Sequence, residues 1–202
     1  MKRDRNLFQD YDQIIRDQEK SGIVEQTKCD ETSGHFLPHQ SVIRQDKETT
    51  KLRIVFDGSA KPSEDDLSFN DCLEKGPNSV PLLFDIIIRF REYLIGLTAD
   101  IEKAFHQMQI APEDREMIKF LWFDDINKEN PEIKHYRFRR LPFGLKPSPA
   151  ILSGTVDHHL SLHTQYHQDI VNLLKRSSYV DDLRVHELFD ERRRVYLTKM
   201  EH

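Results

Sequence analysis

The sequence predicts an α+β fold, and two kinds of observation carry that expectation. Apolar residues recur at helical spacing in separate segments, Leu7, Phe8, Tyr11, Ile14 and Ile15 near the start and Leu82, Leu83, Ile86, Ile87, Phe90 and Leu94 further on. Between such segments lie pairs of strand-like runs joined by polar turns, the pattern of antiparallel hairpins rather than of helix-linked parallel strands. At 202 residues the chain is long enough to bury a sizeable core, as one domain or as two lobes of one.

In chain order, the first helix ends near "KSGIV", where Gly22 can close it. "HQSVIR" and "KLRIVFD" then read as a hairpin whose tip, "QDKETT", is polar and partly basic. The stretch "GSAKPSEDDLSFNDCLEKGPNSV" is rich in turn-forming residues and reads as a long surface connection, a kind of segment that in compact domains tends to be functional or to cover something. A helix over about 81–94 follows, with Pro81 suited to its first turn. Next, the apolar run "LIGLTA" stops at Asp100 and gives way to "IEKAFHQ", which places an acid at the carboxyl end of a strand. "MIKFLWF" and "HYRFRRL" are two further strands, the second with His135, Arg137 and Arg139 on one side as a basic face. "LPFGLKPSPAIL" is a turn that becomes a helix, with Ile151, Leu152, Val156 and Leu160 as its buried side, and "DIVNLLKRSSYVDDLRVHEL" gives a helix and then strand, turn and strand.

Composition narrows the classes available. A formal charge of −5 argues against an electrostatic grip on nucleic acid over the whole surface and leaves only local strips such as "KETTKLR" and "KHYRFRR". Two cysteines, Cys29 and Cys72, give no disulfide framework, so a reducing, intracellular setting is the simpler expectation. The charged opening "MKRDRNLFQDYDQ" lacks the apolar core of a signal peptide, and no segment is long and apolar enough to span a bilayer; the expectation is a soluble chain without a membrane partner.

The chemistry concentrates at the strand ends. Asp100 and the pair Asp181-Asp182 each interrupt an apolar run. Three carboxylates converging from two strands form an oxygen-rich anionic pocket of the kind that holds hard divalent cations beside phosphates. That donor set suits two-metal phosphoryl transfer, whose ions lie roughly 3.5–4 Å apart. Taken alone, a paired aspartate at a turn is more often solvated, as Asp65-Asp66 and Asp124-Asp125 in polar loops illustrate. His159, His163 and His167 are four apart, yet a solvated face explains them better than zinc.

"TADIEKAF", "LPFGLKPSPAIL" and "YVDDL" occur in that order and resemble the three palm motifs of reverse transcriptases, and "KLRIVFDGSAK" resembles the fingers motif that precedes them. The wording, including "LPHQSVIR", is most similar to the Pao/BEL group of LTR retrotransposons, and the resemblance extends from Leu7 to Leu183. It implies a right-hand polymerase with fingers over about 1–92 and 107–147, a palm over about 93–106 and 148–202 built on a mostly antiparallel sheet backed by helices, and no thumb. The implied partners are an RNA or DNA template with its primer, a dNTP and other parts of a Pol polyprotein. The implied cofactors are two Mg2+ (or Mn2+) ions.

The same resemblance assigns roles. Asp100, Asp181 and Asp182 become the catalytic and metal-binding acids, with the backbone carbonyl of Ile101 completing one ion's shell. The amides of Lys103 and Ala104 cradle the triphosphate, in keeping with the attraction of a helix start for phosphate oxygens. Phe105 becomes the steric gate under the sugar. Arg53, with Lys51 or Lys47, becomes the basic grip of the fingertip, where a guanidinium binds phosphate in bidentate fashion. Phe143, Gly144 and Lys146 flank nucleotide and template, and Tyr179 and Val180 lie near the primer terminus. Arg184 and His186 depart from the apolar second strand of the family's hairpin, and the primer grip, thumb and RNase H that follow it in the family have no counterpart before His202. The expectation is therefore a polymerase fragment, with an inactive remnant or binding module of the same fold as the alternative.

Overall fold

The computed structural model describes residues 5–28, 34–43, 52–92 and 96–186. The chain divides into two compact units, one of residues 1–76 and 103–151, the other of 77–102 and 152–202.

In the first unit, helix α1 (Arg5–Lys20) buries Tyr11 and Ile15, the central residues of the apolar stripe read from the sequence. Its end is a Schellman closure: Gly22, at φ +68°, donates to Glu19 C=O and Ile23 to Gln18 C=O. The chain then enters β1 (Val24–Thr27), which pairs with β6 (Ile133–Phe138), and β6 pairs with β5 (Lys119–Phe123), giving an antiparallel sheet of order β1-β6-β5. The hairpin expected from "HQSVIR" and "KLRIVFD" is β2 (His39–Ile43) against β3 (Leu52–Phe56), in register from His39–Phe56 to Ile43–Leu52. Its tip, with Lys47 and Lys51, lies outside the described residues.

Aromatic rings hold this unit together. Tyr11 stacks on Trp122 at 4.6 Å, and Phe56, Phe120, Phe138 and Tyr136 pack in mixed edge and stacked contacts at 4.8–5.5 Å. Each such ring removed from water contributes about 1.5–3 kcal/mol, and paired rings add about 0.5–1.5 kcal/mol more. Arg16 ties α1 to the sheet by donating to Tyr136 Oη and to the carbonyls of Phe123 and Asp124, each at 2.7 Å.

The expected basic face on β6 is not a free one. Arg137 donates to Glu25 at 2.8 Å and to Glu116, while Arg115 and Arg139 also approach Glu25, at 3.5 and 3.6 Å. The acids that neutralise this strip come from β1 and from the 3₁₀ turn Pro112–Met117, segments that the sequence reading left unassigned.

In the second unit, α3 (Leu83–Phe90) is shorter than the expected helix, Pro81 precedes its N-cap Leu82, and Ile86 is its buried residue. The sheet has the order β4-β8-β7, formed by β4 (Gly96–Asp100), β8 (Asp182–His186) and β7 (Ser178–Tyr179), and α3 and α6 (Thr164–Ser177) pack on β8. Helix α5 (Ser148–Ser161) begins one residue before Pro149; of its expected apolar side Leu152 is buried, Val156 and Leu160 are half-buried and Ile151 is exposed.

Candidate active site

The acids sit at one end of the β4-β8-β7 sheet. Asp100, the last residue of β4, lies opposite Asp182, the first of β8, and Ile101 N–H donates to Asp181 C=O at 3.0 Å, extending the ladder past the strand end. Tyr179 pairs with Asp182 across a two-residue turn of Val180 and Asp181. Val180 has φ +58°, in the left-handed region that favours glycine. A β-branched residue there carries strain of about 1–2 kcal/mol. Backbone geometry thus brings the three acids together.

Their side chains do not form a ready cage. Among the described residues no group of three or more His, Cys, Asp or Glu side chains is placed to hold a metal ion, and Asp182 instead lies 3.6 Å from Arg184. Like charges repel at this spacing, and exposed carboxylates are better hydrated when splayed. The donor set still fits a hard cation. Opposed residues of an antiparallel pair have Cα atoms about 4.5–5.5 Å apart, so rotamer changes alone let two carboxylates meet one ion. His159 and His163 lie ring to ring at 5.1 Å on the surface and belong to no such group.

The first unit carries a cleft of about 500 Å³, within the range of small-molecule sites. Phe105, Phe143, Gly144 and Lys146 line it together with Ser59 and Asn70. Lys103, at φ +50°, turns the chain into the single helical turn α4 (Ala104–Gln107), where Ala104 and Phe105 are buried. The Phe105 ring meets Phe143 edge-on at 4.7 Å, and His106 meets the same Phe143 ring at 5.3 Å. Burial, together with the charge of Lys103, pushes the His106 imidazole below its usual range, so it is neutral at pH 7. Gly144 is required by geometry: at φ +91° an added Cβ would lie 2.6 Å from Phe56 C=O.

Asn70, Ser59 and Asp71 come from the long connection that the sequence reading left as a loop. Ser68 and Asp71 close a capping box on the short helix α2 (Phe69–Cys72). The Ser68 backbone N–H, and then the Lys61 ammonium, hold the Asp71 carboxyl down to about 2. Arg53 is exposed on β3 and does not line the cleft, and Lys51 is outside the described residues.

A profile of the family described as "Reverse transcriptase (RNA-dependent DNA polymerase)" matches residues 28–201. The chain belongs to the reverse transcriptase family. An "Enzymatic polyprotein" of Cestrum yellow leaf curling virus is 23% identical over 153 residues, which is 75% of this chain and 20% of that protein. Two solved structures share the fold of this reverse transcriptase chain. One is a foamy viral protease-reverse transcriptase in complex with RNA/DNA hybrid (TM-score 0.66, 21% identity, 98% of this chain and 22% of that one). The other is a Prototype Foamy Virus protease-reverse transcriptase mutant (TM-score 0.63, 21% identity, 93% of this chain and 21% of that one). The α+β fold with antiparallel sheets expected from the sequence is the fold found. This reverse transcriptase chain spans about a fifth of the length of each of these relatives. None of its described helices is long and apolar enough to cross a membrane.

Proposed function

We propose that this chain is the fingers-palm part of an RNA-directed DNA polymerase from a retrotransposon Pol polyprotein of the Pao/BEL group. Asp100, Asp181 and Asp182, with the Ile101 carbonyl, hold two Mg2+ or Mn2+ ions. When bound, the ions supply activation of the primer 3′-hydroxyl and neutralisation of the phosphate charge. The hydroxyl oxygen bonds to the α-phosphorus of the dNTP while the bond to the pyrophosphate oxygen breaks, and the hydroxyl proton leaves to solvent. Phe105 lies under the sugar and excludes a 2′-hydroxyl. Phe143 and Gly144 flank the base, the Lys103 and Ala104 amides and Arg53 with Lys51 take the triphosphate, and Lys146, Tyr179 and Val180 lie beside template and primer.

The observation that carries this reading is the in-register opposition of Asp100 and Asp182 at a strand end, in a chain of this family. Under this reading the fingers are about 1–92 and 107–147 and the palm about 93–106 and 148–202; residues 77–92, read as fingers, belong to the second compact unit, and 103–106, read as palm, to the first. Primer extension on an RNA template with Mg2+ tests the reading: the unmodified chain extends the primer and Asp181→Asn does not. Equal signal from the two would sink the polymerase assignment. Phe105→Ala admits ribonucleotides, and unchanged sugar discrimination removes the gate. The Pao/BEL placement fails if the five quoted motifs group with reverse transcriptases of another retroelement class when whole domains are compared.

A second reading, a binding module that keeps the fold without turnover, is favoured by the absence of a preformed three-carboxylate cluster among the described residues. Magnesium-dependent dNTP binding with no primer extension supports it, and steady turnover excludes it. Intracellular action, as part of a longer polyprotein, belongs to either reading.

A further inference from the structure

Two backbone groups of the turn Phe143–Lys146, the Gly144 carbonyl and the Lys146 N–H, are bonded by one side chain far away in sequence. Asn70 Nδ2 donates to Gly144 C=O at 2.9 Å and to Ser59 Oγ at 2.9 Å, and Asn70 Oδ1 accepts from Lys146 N–H at 2.8 Å. Asn70's own backbone N–H donates to Gly58 C=O at 2.8 Å. One residue thus fastens the turn after β3 to the turn before α5. The amide orientation is fixed by chemistry, since a flipped amide would set oxygen against the Gly144 carbonyl and N–H against the Lys146 N–H. Space confirms the fit: a Cβ at Gly58 would lie 3.1 Å from both polar atoms of the Asn70 amide.

We propose that Asn70 is a positioning residue for nucleotide selection, holding the Phe143–Lys146 turn where the Phe143 ring backs Phe105. This rests on the nucleotide-site reading of the cleft. Asn70 touches neither sugar nor phosphate in the proposal; it acts through Gly144 and Lys146. An amide suits the position because its donor and acceptor are separate atoms, so one short side chain donates to two oxygens through Nδ2 and accepts from an N–H through Oδ1. Asn70→Asp keeps the acceptor for Lys146 and sets a carboxylate against the Gly144 carbonyl, while Asn70→Ala removes both bonds.

The test combines amide hydrogen exchange with binding of dTTP and UTP to the 202-residue chain in Mg2+. In the unmodified chain the Lys146 amide is protected. In Asn70→Ala it exchanges on the order of tenfold or more faster, while the β5–β6 amides are unchanged. Affinity for dTTP falls on the order of tenfold and the preference for dTTP over UTP narrows. Asn70→Asp retains Lys146 protection and still loses dTTP preference.

A Lys146 amide unprotected in the unmodified chain overturns the proposal without recourse to any variant. So does uniform acceleration across the first unit, or an unchanged dTTP preference in Asn70→Ala. If the unmodified chain binds no dTTP, the nucleotide-site reading falls and the selection role with it, while Lys146 exchange separately reports whether Asn70 anchors the turn.

Discussion

Two backbone positions carry more constraint than their side chains suggest. At Gly144 a methyl group meets a backbone carbonyl rather than a movable side chain, so Gly144→Ala is expected to cost about 2–4 kcal/mol of unfolding free energy and to widen the Phe105–Phe143 contact. Urea denaturation checks the first part; a loss below about 0.5 kcal/mol, the usual surface range, would show that the turn relaxes. Val180 is the opposite case. Its side chain is half-buried and its φ is positive, so Val180→Gly is expected to leave stability unchanged or to raise it by up to about 1 kcal/mol. The strand-end acids were legible in the sequence because an apolar run that stops at a carboxylate is a local signal. Asn70 was not, because its partners lie 74 and 76 positions away and nothing in a polar loop distinguishes an asparagine that holds a turn from one that faces water.

Between elements, the joint of α1, β2 and β5 is expected to respond to pH through His39. His39 lies among Tyr11, Phe56, Phe120 and Trp122, and one ring nitrogen bonds Leu121 C=O at 2.9 Å. Because a carbonyl only accepts, that nitrogen carries the hydrogen, and the other nitrogen accepts from the Tyr11 hydroxyl in the neutral ring. Burial lowers the His39 pKa below its ordinary value, and burial also lowers His35. A base whose folded pKa is depressed is protonated first in the unfolded chain. Its contribution is therefore complete above about pH 6.5 and is lost as pH falls from there toward the folded value, with a slope of at most about 1.4 kcal/mol per pH unit for each histidine. Urea midpoints are expected to drop between pH 7.5 and 5.5, and His39→Gln is expected to shrink that drop; an equal drop in the variant would assign it elsewhere. The longer helices and the hairpins were legible in local periodicity, although α3 is shorter than expected and the short α2 lies in a stretch read as a loop. Strand β1 escaped because its four residues, with Glu25 and Gln26 central, have no apolar alternation of their own and are a strand only through pairing with β6, more than a hundred positions on. The mistaken basic face has the same origin, since Glu25 lies 112 positions from Arg137.

For the molecule as a whole, the apolar core is unequally shared. The aromatic-rich cluster from Tyr11 to Leu145 lies wholly in the first unit, whereas the buried apolar residues described in the second are Ile86, Leu152, Val171 and Val185. Local stability follows buried apolar contact, so amides of the β4–β8 ladder are expected to exchange faster than those of β5–β6, by a factor of at least about ten. Equal protection would mean that the two units open together. The acids proposed to hold metal thus stand on the half with the smaller described apolar core. That half also has a particular order of manufacture. Among the described residues β4 is an edge strand paired with β8 alone, and β8 is the central strand of its sheet although it is the last strand described along the chain. While the ribosome is still adding the residues between them, β4 carries a fully unpaired edge and Asp100 has nothing opposite it. A chain broken between residues 151 and 181 therefore has every residue of the aromatic core but no Asp182 to set opposite Asp100.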